Sequence, residues 1–164
     1  MIQRIQPDEG ATLKSVRLAA LVDSPSAYSS TYAAEATQPN DHWDMRATVG
    51  AAGTTSATFF AVSGELVIGM VAAHRPDDAG RSVELVSMWV SPAQRRAGIA
   101  AALVATVVDW ARETGAAAVE LWVTRGNDAA VRLYESQGFR LTGEHEPLPS
   151  DPCKHELRMC RILG

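Results

Sequence analysis

At 164 residues the chain is sized for one domain (1–164), which at this length buries roughly 70% of the surface its unfolded form exposes. With 46% apolar and 21% charged residues, and apolar stretches along its whole length, it is not a disordered chain. The net charge of −4, with 13 Arg and 2 Lys scattered rather than gathered into a patch, argues against a nucleic-acid partner.

Elements are read in chain order from apolar periodicity and punctuation. Residues 2–5 read as a strand, 7–10 as a turn, and 11–22 as a helix with Leu13, Val16, Leu18 and Leu21 apolar, closed by Ser24-Pro25. Residues 26–50 read as two short helices interrupted at Gln38-Pro39-Asn40, with Asn40 or Asp41 as cap of the second. Residues 58–63 and 66–74 form a hairpin around Ser63-Gly64-Glu65, followed by a polar turn at 76–80. The strand 83–90 is closed by Ser91-Pro92. The strongest helix runs over 98–114, with Ile99, Leu103, Val107 and Trp110 or Ala111 at helical spacing and Gly115 as its stop. A strand at 118–123, a helix at 127–137 ended by Gly138, and strands at 139–143 and 155–163 complete the chain.

Strand, buried helix, strand implies a right-handed crossover that sets 83–90 parallel to 118–123. The other strands pair antiparallel, giving an α/β fold with one mixed sheet and helices on both faces. Ligands in such sheets gather at the carboxyl ends of the parallel strands, here Val90 and Val123.

The turn at that place carries Arg95, Arg96 and Gly98. Two arginines at the positive end of a helix repel it by some tenths of a kcal/mol, a conflict that a bound phosphate resolves. Glycine early in a helix costs about 1 kcal/mol against alanine but lets backbone approach a ligand closely. The alternative is an ordinary capping box, Ser91 to Gln94, with Pro92 at the first helical position and Gly98 a tolerated defect. Neither a Walker loop nor a dinucleotide fingerprint is present.

Arg95-Arg96-Ala97-Gly98-Ile99-Ala100 fits the Gln/Arg-x-x-Gly-x-Gly/Ala motif of the GCN5-related N-acetyltransferase (GNAT) superfamily. Met88-Trp89-Val90-Ser91-Pro92 resembles that family's fourth strand. Downstream, the block from Asn127 to Phe139 is similar to its Asn-x-x-Ala-x-x-Leu-Tyr-x-x-x-Gly-Phe signature. The close match covers 83–143, with Ala100 in place of the commoner glycine and Arg96-Ala97 where many relatives carry Arg-Gly.

The resemblance implies a GNAT sheet, mostly antiparallel with one splayed parallel pair, and acetyl-CoA as acyl donor. Amides of Arg95, Arg96, Ala97, Gly98, Ile99, Ala100 and Ala101 would cradle the diphosphate. Met88, Trp89 and Val90 would pair with the pantetheine arm like an added strand, in a gap opened by a bulge. Asn127, Ala130 and Tyr134 are further implied contacts, and Tyr134 the acid that protonates the departing thiolate. Their plain alternatives are a helix cap for Asn127 and a packed core aromatic for Tyr134.

Glu84 is the candidate general base. Alternation puts it on one strand face with Val86, Met88 and Val90, where burial would raise its pKa, and it stands where the histone-acetylating branch of the family has its base. A solvated strand-start carboxylate is the competing reading, and Asp77 and Asp78 are alternatives in the turn. His42, His74, His145 and His155 form no triad or ligand spacing and receive no role. Cys153 and Cys160 match neither a zinc pair nor a redox motif, so no metal is expected, and Cys153 after Pro152 reads as an exposed thiol in a polar loop.

The acceptor, a small-molecule or peptide amine, is expected between residues 26–50 and loops at 144–152. Tyr28, Tyr32 and Trp43 among Asp23, Glu35, Asp41 and Asp44 could form an aromatic, acidic mouth, although ordinary amphipathic helices account for them equally. The N-terminus lacks a signal-peptide pattern and the longest strongly apolar run, 99–108, is too short to span a bilayer, so a cytoplasmic protein without a membrane partner is expected. A homodimer is implied by analogy with the family. A non-catalytic coenzyme A-binding regulatory module, or a structural protein reusing the fold, are the other classes considered.

Overall fold

The computed structural model describes residues 1–76 and 81–164. In chain order the elements are β1 (Ile2–Arg4), α1 (Gly10–Asp23), α2 (Tyr32–Ala36), α3 (Asn40–Ala52), β2 (Ser56–Ser63), β3 (Leu66–His74) and β4 (Ser82–Val90). These are followed by α4 (Ile99–Glu113), β5 (Ala118–Thr124), α5 (Asp128–Ser136), β6 (Arg140–Leu148) and β7 (Asp151–Ile162), with short 3-10 turns at Pro25–Ala27 and Pro92–Gln94. The strands form one sheet in the order β1-β2-β3-β4-β5-β7-β6, and of its pairs only β4–β5 is parallel.

The expected crossover is present, with α4 carrying the chain from β4 to β5. Its Leu103, Val104, Val107 and Val108 are buried against Val83, Leu85, Val119 and Leu121 of the strands it connects. On the opposite face Leu13, Leu21, Trp43 and Ala47 of α1 and α3 cover Phe60, Met70 and Trp89. Each fully buried side chain of this size contributes about 1.5–3 kcal/mol. The sheet is therefore sandwiched, and its two faces have separate cores.

Several local expectations change. Pro39, not Asn40 or Asp41, flanks the start of α3, and no side chain caps it. Ser91 makes no capping hydrogen bond either, so the capping box at 91–94 does not form; Pro92 instead opens a 3-10 turn. Gly98 lies just outside α4, at its N-cap, with φ +79°, so its value is a left-handed turn rather than a defect inside the helix. Residues 144–152, expected as loops, are mostly strand, because β6 and β7 continue as a long hairpin turning at Pro149-Ser150, and Cys153 consequently stands exposed within β7.

Candidate active site

β4 and β5 pair over only three positions, Ser82↔Ala118, Val83↔Val119 and Glu84↔Glu120, and then separate. The cause lies in β4. Trp89 pairs with Met70 and Val86 with Ala72, so Ser87 and Met88 both stand opposite Val71 as a bulge, with Ser87 at φ +57°. The bulge inverts the alternation. Met88 and Val90 turn toward the α4 core together with Val83 and Leu85, while the Trp89 indole turns toward α1 and α3. The expected stripe of Glu84, Val86, Met88 and Val90 on one face is thus broken after Val86, because one extra residue shifts the period-2 pattern.

The gap forms a cavity of about 120 Å³ whose lining includes Tyr28, Val86, Ser87, Met88, Trp122, Asn127, Ala130 and Tyr134. Ser91 N–H bonds back to Ile68 O on β3, so by alternation the N–H and C=O of Val90 turn toward the gap. Two carbonyls here are engaged: Met88 O accepts the Tyr28 hydroxyl at 2.9 Å and Val90 O accepts Arg95 Nε at 3.0 Å. The Val90 N–H remains the donor aimed into the gap.

Beyond Val90 the turn is shaped for an anion. Arg96 and Gly98 both take left-handed backbone, φ +63° and +79°, and the first regular helical bond is Ala102 N–H to Gly98 O at 3.1 Å. The amides between Arg96 and Ala101 belong to the set a helix start cannot satisfy itself, and left-handed residues gather such amides into a concave nest. A Cβ on Gly98 would meet nothing within 4 Å, so the turn faces open space. These residues fit a diphosphate. The Arg95 side chain does not serve it freely, since its guanidinium is paired with Asp23, which also accepts Trp89 Nε1 at 3.1 Å. Arg96 is exposed.

Tyr134 is buried, in edge contact with Phe139 at 5.8 Å between ring centres, and burial with the nearby Tyr28 pushes its phenol above the ordinary range. It therefore stays protonated near neutrality, as a proton donor must. Asn127 caps α5, its side chain accepting from Ala130 N–H at 3.3 Å, and it also lines the gap.

Next to the gap, and sharing Tyr28, Val86, Ser87 and Trp122 with it, lies a larger cavity of about 520 Å³. Glu84 opens into it, with its side chain 30% exposed and its Oε2 3.3 Å from His74 Nε2. Asp77 and Asp78 lie outside the described residues. Of the expected aromatic mouth, only Tyr28 and Glu35 line this cavity. Trp43 is buried under α1, Tyr32 is exposed elsewhere, Asp23 is held by Arg95, and Asp44 packs against Gly10.

Sequence reasoning missed four charged residues here, Arg17, Arg46, Glu146 and Glu156, because nothing local marks them. Glu156 of β7 is buried, directly opposite Glu146 of β6, and both line the cavity. Burial, then the Glu146 contact, then the charge of Glu84 raise its carboxyl to about 7. Arg17 of α1 is also buried and bonds Glu35 through Nε and Nη2 at 2.9–3.2 Å. Burial alone would raise Glu35, but Arg17 and Arg46 hold it below the ordinary carboxylate range. No helix among the described residues is long and apolar enough to cross a membrane.

Comparison with known proteins bears on the fold and the family. The chain is 38% identical over 95 residues to N-acetyltransferase 8B of Rattus norvegicus, an overlap of 56% of this chain and 43% of that protein. It thus spans less than half the length of the curated relatives it matches first. Among solved structures, ribosomal-protein-alanine N-acetyltransferase from Brucella melitensis superposes with a TM-score of 0.82 at 20% identity, covering 99% of each chain. The yncA structure from Salmonella typhimurium, solved with its cofactor acetyl-CoA, superposes at 0.81 and 17% identity over 100% of this chain and 94% of that one. These two likenesses speak to fold. The model of the acetyltransferase (GNAT) family matches residues 19–139, a stretch that includes the bulged strand, the Arg95–Ala101 turn and Tyr134, and the chain belongs to that family.

Proposed function

We propose that the protein transfers an acyl group, acetyl in the first instance, from acyl-coenzyme A to a primary amine by direct attack on the thioester. The observation that carries this reading is the separation of β4 from β5 immediately after Glu84, which brings an anion-shaped turn, a narrow slot and a carboxylate-lined cavity together.

The amides of residues 96–101 bind the diphosphate, and the slot beside Met88 and Val90 takes the pantetheine arm. Glu84, at the mouth of the slot, accepts a proton from the incoming ammonium, directly or through water. As the amine nitrogen bonds to the acyl carbon, the Val90 N–H supports the developing oxyanion. Tyr134 gives its proton to the sulfur as the carbon–sulfur bond breaks, and the second proton that the nitrogen sheds as the amide forms restores the phenol. A general acid or base placed this way contributes about 100- to 10,000-fold.

One observation favours a second assignment of the base. Glu156 shares the cavity with Glu84 and titrates near 7, where a base at neutral pH is most effective. Release of free thiol from acetyl-coenzyme A, measured over panels of amino acids, polyamines, aminoglycosides and peptides, tests the transferase reading. Binding of coenzyme A without release to any amine would make the protein a cofactor sensor, and no binding would remove the reading altogether.

A further inference from the structure

The larger cavity has two walls of opposite character. The helix wall carries two guanidiniums, Arg17 and Arg46, against one carboxylate, Glu35. Arg17 has a side chain only 7% exposed, lies over the Tyr28 ring at 4.6 Å, and directs Nε and Nη2 at Glu35. Its Nη1 has no hydrogen-bond partner among the described residues. A buried, charged donor left bare is costly, and two guanidiniums stand on this wall against one carboxylate, so this wall favours an anion. The strand wall is the reverse: Glu84, Glu146 and Glu156 meet there and attract an ammonium.

We infer that the acceptor is a zwitterionic amine, an amino acid or a close analogue, whose carboxylate is bound by Arg17 and Arg46 and whose ammonium is bound at Glu84 and Glu156. The inference rests on the transferase reading and narrows it. A polyamine would bring a second cation against two guanidiniums, and a simple amine would leave Arg17 Nη1 unpaired. The volume, about 520 Å³, lies within the range for small-molecule sites and admits an amino acid with its side chain.

The test compares amino acids and ω-amino acids with their own carboxamides, and with spermidine, as acceptors in the thiol-release assay, with coenzyme A binding followed in parallel by calorimetry. The zwitterion should exceed its carboxamide by about 10- to 100-fold in kcat/KM, as expected for losing charge-assisted hydrogen bonds. Arg46→Gln, at a position 32% exposed, should raise KM for the zwitterion far more than for the carboxamide, narrowing the gap. Carboxamides or spermidine matching or surpassing every amino acid would overturn the inference while leaving the transferase reading intact. So would an undiminished preference in Arg46→Gln. Coenzyme A binding with no release to any amine would overturn both.

Discussion

The Tyr28 hydroxyl donates to the Met88 carbonyl at 2.9 Å, tying the segment after α1 to the residue that completes the β4 bulge. Tyr28→Phe keeps the ring under Arg17 and removes only this bond. A loss of about 1–2 kcal/mol is expected, since a half-buried carbonyl loses its partner. Urea denaturation checks it, and an unchanged midpoint would mean the bulge holds without Tyr28.

Glu84→Gln should slow turnover at pH 7 by about 100-fold or more while coenzyme A affinity stays the same. The informative measurement is kcat/KM against pH. An unaltered profile in Glu84→Gln, combined with loss of the limb near 7 in Glu156→Gln, would transfer the base role to Glu156.

Glu156 also sets a stability trend. Its folded pKa is raised from 4.5 to about 7, so between these values the folded state keeps a proton that the unfolded state has released. Stability therefore falls as pH rises from about 4.5 to 7 and is flat above. Glu156→Gln should remove this slope and be more stable than wild type at pH 8, by on the order of 2 kcal/mol. Thermal melts at pH 5 and pH 8 report the difference; a wild-type protein that is no less stable at pH 8 than at pH 5 contradicts it.

Gly98→Ala places a Cβ on left-handed backbone, which costs about 1–2 kcal/mol, with no steric contact added to the protein itself. The methyl group projects into the space assigned to the diphosphate. Calorimetry should show weaker coenzyme A binding together with the lowered melting point; full affinity would locate the diphosphate elsewhere.

Tyr134→Phe preserves the edge contact with Phe139 and should slow turnover with little change in donor KM. Rates equal to wild type across several acyl donors would count against its acid role.

The elements and their order were legible in the chain because α4 and the strands it connects are marked by unbroken local periodicity and by glycines at the turns. The two motif blocks were legible for the same reason: Arg95 to Ala100 and Asn127 to Phe139 are contiguous, so their spacing survives without any knowledge of folding. Glu84 was found as a carboxylate in an apolar strand, but its setting was misread. Alternation assumes an uninterrupted pleat, and a bulge that costs one residue leaves no sign in the sequence Val86-Ser87-Met88.

Only the tertiary structure joined residues that are distant along the chain. Glu146 and Glu156 are ten positions apart and meet because β6 and β7 form a hairpin longer than composition suggested. Arg17, Glu35 and Arg46 belong to three helices and converge on one wall because α1, α2 and α3 all lie on the same face of the sheet. By itself the sequence determined the family, through two contiguous motif blocks, and the parallel pairing of β4 with β5, through the strand-helix-strand order, because these signals are local. The charge pattern of the larger cavity was decided by folding, since burial and the mutual approach of charges exist only once those elements pack.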